Sequence, residues 1–180
     1  MIYFVTFVIS ALLFEFGFRE RNRYVVFLLT AIALLLPALL AGMRDENIGT
    51  DRLVYGDILF YDVQNSQDFL HLDPIWFGWI EPGYIYLNYF VGKIFVDVNF
   101  FYFVLSFIEG LCVYVTLKIL KIKKYAGFAY TAYLFMFFQP ALNTLRQSLS
   151  VSISLLCVAF LLKNKKIPAI ITFVLAVSFH

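Results

Sequence analysis

The chain has 180 residues, 62% of them hydrophobic, 20% aromatic and only 14% charged, with a formal net charge of +2. Its mean hydropathy is +0.83, whereas soluble domains carry about 45–50% apolar and about 25% charged residues. One water-facing core cannot hide that much apolar surface, so a soluble globular domain is excluded, and the small net charge gives nucleic acid no electrostatic footprint.

The sequence reads as one all-α, polytopic transmembrane helical bundle over residues 1–180, the lipid bilayer being its solvent. A crossing helix needs about 20 apolar residues. Residues 2–18 supply the first span. The opening MIYFVTFVIS has neither a basic leader nor a small-residue cleavage site, so it is a retained helix and not a signal peptide. Glu15 within it is placed to pair with Arg19, Arg21 or Arg23. Residues 24–43 follow without a single charge. Arg44 comes one residue later, at the boundary where a phosphate would lie.

A polar loop, residues 44–81, begins RDENIGTDRLVYGDILFYD. Here Ile48-Gly49-Thr50 forms a turn, and Thr50 or Asp51 is expected to cap a surface helix running through Leu59. Glu81-Pro82-Gly83 breaks the backbone before an apolar stretch, residues 83–98, that is short and interrupted by Asn88, Lys93 and Asp97. Pro82 suits the first turn of a helix, and Glu81 sets a carboxylate at its mouth. Residues 100–118 span with one acid, Glu109, and residues 125–142 and 145–162 make two more spans. Cys112 and Cys157 both fall in apolar runs and read as packing residues. The last run, residues 167–180, rises only about 21 Å at about 1.5 Å per residue. That shortfall makes the chain read as the N-terminal part of a longer protein.

Basic clusters in short loops mark the cytoplasmic side. There are three, at residues 19–23, 118–124 and 163–166, and all three share one side only if residues 83–98 form a re-entrant or interfacial half-helix. The N-terminus, the polar loop, the bend near Pro140 and Arg146, and His180 then all lie outside.

Unusual polar residues gather on that outer side. In PALNTLRQSLSVSISLL, Asn143, Gln147, Ser150 and Ser154 follow spacings of four, three and four, so a helix would set them on one face with Arg146 beside them. An Arg beside a spanning segment is expensive and usually faces a bundle interior or an aqueous cavity, which points to an anion site. His180 closes an apolar run at the same level and is a candidate base or phosphate partner. Neither an Asp-x-Asp pair nor a His/carboxylate cluster with ligand spacing occurs, so no metal or other cofactor is expected.

Four of these segments together resemble the EpsG-type, Wzy-like polysaccharide polymerases. RDENIGTDRLVYGDILF resembles the family's outer-loop pattern, EPGYIYLNYFVG its Glu-Pro half-helix, NTLRQSLSVSISLL its Asn-x-x-Arg-Gln helix, and the terminal SFH its Phe-His. They occur in the family's order, although Ser148 and Ser150 stand where small residues such as Ala usually follow Arg-Gln. The resemblance implies a class C glycosyltransferase-like bundle in a bacterial inner membrane, its active site facing the periplasm or exterior. It implies a substrate too: oligosaccharide repeat units on undecaprenyl diphosphate, polymerised into O-antigen, capsule or exopolysaccharide. A flippase and a chain-length regulator would be its partners.

The chemistry of that reaction suits the residues. Arg44 and Arg146, helped by Gln147 and Asn143, are candidates to hold the leaving diphosphate. His180, Asp51 and Glu81 are candidates to take the acceptor's proton. Two rivals remain open at this point. A class C enzyme using a lipid monophosphate sugar would draw its base from Asp45, Glu46 or Asp51. A transporter or flippase of the lipid-linked unit would need charges near the midplane and repeated halves.

Overall fold

In hydrocarbon a backbone must satisfy its own polar groups, and long apolar runs do so as helices. The computed structural model describes residues 1–73 and 75–180. Among these residues every regular element is helical. Helix α1 (Ile2–Arg19) and helix α2 (Arg23–Gly42) form an antiparallel pair. Asn22 makes the reversal, accepting the Tyr24 N–H at 3.0 Å as the cap of α2. Glu15 pairs with Arg19 at 2.5 Å and also accepts the Gly127 N–H at 2.6 Å.

The chain after α2 does not form the capped surface helix read from the sequence. Residues Arg52–Ile58 wind as a π-helix and continue into α3 (Leu59–Asn65), and Asp51 makes no side-chain cap. Leu59, Phe60 and Val63 are buried in the core instead of lying on a surface. Helices α4 (Ile75–Trp79) and α5 (Pro82–Ile94) follow, with Pro82 in the first turn of α5 as expected. Helix α6 (Val98–Leu120) then runs the depth of the bundle.

Helix α5, with 13 residues, is shorter than a crossing helix needs. Gln64 donates from Nε2 to the carbonyls of Phe95 and Val96 at 3.0 and 2.7 Å, and the Phe95 ring stacks on Phe100 at 4.6 Å. The end of α2 packs against this same start of α6, Gly42 lying against Asn99 and Phe103. The chain therefore leaves and re-enters the bundle at one end, and α5 is the half-helix inferred for residues 83–98.

Residues 125–142 are not one span. Helix α7 (Ala126–Met136) stops at Phe137, and α8 (Phe138–Asn143) restarts beyond it. The cause is Pro140, which has no N–H for the Met136 carbonyl four residues back and whose ring crowds that carbonyl. Helices α9 (Leu145–Leu162) and α10 (Lys166–Val177) complete the fold as a second antiparallel pair. Among the described residues α1, α2, α6 and α9 are long and apolar enough to cross a membrane, and α10 is shorter. The protein is a polytopic helical membrane protein.

Lys118 lies over the Phe18 ring at 4.6 Å, which brings the basic residues after α6 to the end already occupied by Arg19. Helix α9 starts at the opposite end, so Lys163, Lys165 and Lys166 fall at the basic end as well. Two cores fill the bundle. One joins α1, α2, α6 and α7 and centres on the Phe14–Tyr130 stack at 4.1 Å. The other joins α3, α5, α6 and α9 around Phe60, Tyr84, Phe101 and Leu149, and it supports the end at which the polar residues meet.

Candidate functional site

Four residues far apart in sequence converge at the end opposite the basic clusters. Arg146 enters α9 in its first turn, directly after the Thr144 break. Its guanidinium pairs with the Glu81 carboxylate and lies over the Tyr55 ring at 4.1 Å. Glu81 precedes α5 and, having no cap role, turns its second oxygen to His180 Nδ1 at 3.3 Å. One carboxylate thus serves both a guanidinium and an imidazole. The Arg146 Nε is buried with no hydrogen-bond partner, so part of the donor fork is unused. Asp51 completes the group. Burial raises its pKa from the usual aspartate value, opposed by the Leu145 N–H and by the charges of Arg146 and His180.

Backbone approach makes this convergence possible. The Gly83 N–H donates to the Ser178 carbonyl at 2.8 Å, and a Cβ on Gly83 would collide with Ser178. Glycine at that position therefore lets the start of α5 touch the end of α10, which puts Glu81 beside His180. Gly49 does the same for the loop after α2. It holds φ at +108°, and a Cβ there would strike the Leu142 carbonyl. Thr50 then bonds Asn143 twice, from its N–H to the side-chain oxygen at 3.3 Å and from its hydroxyl to the carbonyl at 3.2 Å.

The sequence-derived candidates divide. Arg146, Glu81, His180 and Asp51 are gathered, and Asn143 ties the loop beside them. Arg44 is not in the cluster: it is 5% exposed, donates from Nη1 to the Leu142 carbonyl at 3.0 Å and lies on the Tyr102 ring at 3.8 Å. Gln147 faces away, lining a cavity of about 580 Å³ between α6, α7 and α9 together with Thr144 and Ser148. The expected single stripe on α9 is therefore split, because Ser150 points the other way and donates to the Ala176 carbonyl at 2.9 Å. Helix α9 is wedged between α6 and α10, so residues at the edges of one polar face meet different neighbours.

Sequence reasoning passed over Tyr55, Tyr84, Arg52, Asp57 and Tyr102. The Tyr84 hydroxyl donates to the Tyr55 carbonyl at 2.9 Å and so steadies the ring under Arg146. Arg52 reaches Asp57 at 3.2 Å, and Asp57 accepts the Tyr102 hydroxyl at 2.7 Å. Five residues separate Arg52 from Asp57, and one wide turn of the π-helix brings the two side chains within reach, a pairing that an α-helical reading of the segment hides.

A profile of the EpsG family matches residues 25–180. The chain belongs to the EpsG family. That family is one of Wzy-like polymerases, as the four motifs had implied. The match takes in most of α2 and every later element, and hence the whole Arg146–Glu81–His180–Asp51 cluster. No curated protein and no solved structure matches the chain. Family membership gives the protein a polysaccharide-polymerase role in the membrane.

Proposed function

We propose that this EpsG-family protein polymerises oligosaccharide repeat units carried on undecaprenyl diphosphate, with the Arg146 cluster as its active site on the outer face of a bacterial inner membrane. The observation that supports this most is the meeting of an arginine, a carboxylate and an imidazole drawn from three segments of the chain. The basic clusters collected at the opposite end support the orientation.

In the proposed step the acceptor hydroxyl oxygen bonds to the anomeric carbon of the donor glycan. The bond from that carbon to the diphosphate oxygen breaks, and its electron pair leaves on the lipid diphosphate. Negative charge grows on that leaving group, and Arg146 stabilises it through the part of its fork that Glu81 leaves free. The hydroxyl proton passes to His180. With Nδ1–H turned to Glu81, Nε2 is the basic nitrogen, and Glu81 stabilises the imidazolium as it forms. Asp51 adds a second carboxylate beside the acceptor.

The test is reconstitution of the full chain in liposomes with an undecaprenyl-diphosphate oligosaccharide. Longer glycans and released undecaprenyl diphosphate are expected, and none from a lipid monophosphate sugar. Extension from the monophosphate donor instead would replace this reading with the rival glycosyltransferase, and movement of the intact lipid between leaflets without extension would replace it with a flippase.

A further inference from the structure

Arg44 and Glu109 are both buried, at 5% and 3% exposure, and neither is used by the proposed step. Arg44 lies over Tyr102 near the start of α6, and Glu109 is about two turns further along that helix. Tyr102, Ser106 and Glu109 follow at intervals of four and three, which places them on one face of that helix. Helical side chains lean towards the N-terminus of their helix, so Glu109 leans towards Tyr102 and the guanidinium lying on it. Between them is a cavity of about 10 Å³ whose polar lining is Arg44, Tyr102, Ser106 and Glu109, closed by Phe138 and Leu145.

The polar atoms around it are short of partners. Arg44 Nε and Nη2 are buried without a hydrogen bond. Tyr133 reaches Glu109 with its hydroxyl only at 3.5 Å. A buried charge this poorly served is unstable unless something answers it. A volume of roughly 10–15 Å³ is what one water molecule requires, together with two to four polar neighbours.

We infer that one buried water joins the Arg44 guanidinium to the Glu109 carboxylate, making Glu109 the counter-charge that positions Arg44. The consequence reaches the proposed active site through one hydrogen bond and the backbone beyond it. Arg44 holds the Leu142 carbonyl, and Leu142 ends the turn from which Arg146 emerges. Glu109 thus fixes the α8–α9 junction from the interior. The link itself stands on burial and geometry, while its effect on turnover rests on the polymerase reading.

The experiment compares the full-length protein with E109Q, R44Q and E109Q/R44Q, reading thermal midpoint in lipid nanodiscs, infrared absorption of Glu109 and glycan extension. Each single variant leaves one buried charge unanswered and should lower the midpoint, and the double variant should lie no lower than the worse single one. The carboxylate band lost in E109Q should become a carboxylic acid band in R44Q. Extension should fall about ten- to a hundred-fold in E109Q, as for groups that hold a reacting residue at one remove. Additive midpoint losses, or a Glu109 band unchanged in R44Q, would overturn the link. Loss of coupling in extension alone, with midpoints and bands as expected, would leave the link standing and strike the polymerase reading. If R44Q fails to accumulate, R44K decides, since a retained charge keeps Glu109 ionised, and an acid band there overturns the pairing.

Discussion

Arg146 has three unlike sides: a carboxylate beside it, an aromatic face beneath it and a buried Nε that bonds nothing. Only a planar fork can use all three at once. Arg146→Lys keeps the charge and the ion pair with Glu81 but presents a point charge to the substrate. Extension should therefore fall about a hundred- to a thousand-fold, the usual loss when a donor to a developing charge is removed. Membrane abundance should stay near normal, and glycan length measured beside abundance checks both halves. Asp51 gives a pH signature. Its folded-state pKa is raised by burial, so its favourable contribution is complete only below the unfolded carboxylate range and is lost as pH rises through the folded value. At neutral pH the ionised carboxylate opposes folding. Asp51→Asn should then be the more thermostable protein near pH 7, with the advantage shrinking as the pH is lowered, while extension falls. Melting curves across pH would reveal a wrong sign directly.

Helix α5 and the π-helix are where element-level chemistry decides the site. Gly83→Ala would drive a Cβ into Ser178, parting α5 from α10 and drawing Glu81 away from His180. Extension should drop sharply, while Gly78→Ala, at a position with open space around it, should be harmless. Equal effects from the two would show that the close approach is unimportant. Tyr102→Phe removes one hydrogen bond to Asp57 and should cost about 1.5–3 kcal/mol, as bonds to charged groups do; denaturation in detergent measures it. The legibility of these elements was uneven. Pro82 announced α5, and the polar interruptions in residues 83–98 together with the basic loops told that it would not cross. The π-helix was not readable, because Asp51 and Thr50 look like caps until Thr50 is seen spent on Asn143. The α7–α8 break was readable in Pro140 and was missed because hydropathy averages over it. Arg44 and Arg146 look equivalent as residues beside spans, and only the packing on Tyr102 separates the buried Arg44 from the Arg146 that joins Glu81 and His180.

Across the whole molecule, the described residues between Met43 and Asp97 gather at one end, while the three basic clusters gather at the other. Single cysteines at Glu46 and Val96 should react from the same side of the membrane, and cysteines at Lys121 and Lys165 from the opposite side. Labelling of Lys121 from the Glu46 side would require α5 to cross after all. Composition alone made the bundle legible. The convergence of Glu81, Arg146 and His180 was legible only as a shared side, since their contact depends on glycine-sized gaps that no periodicity encodes.

The two ends also differ in how they are fastened. At the basic end α1 passes to α2, and α9 to α10, through three residues each: residues 20–22 and residues 163–165. At the other end Thr144 alone joins α8 to α9 and residues 95–97 join α5 to α6, whereas α2 and α5 are separated by the long segment of residues 43–81. Slack in the backbone is therefore concentrated in that one segment, which closes over the end like a clasp. Movement of that segment, which carries Asp51 and Tyr55, would open the Arg146 end while the short turns keep the basic end shut, and the proposed reaction on a bulky glycan would need such a one-sided opening.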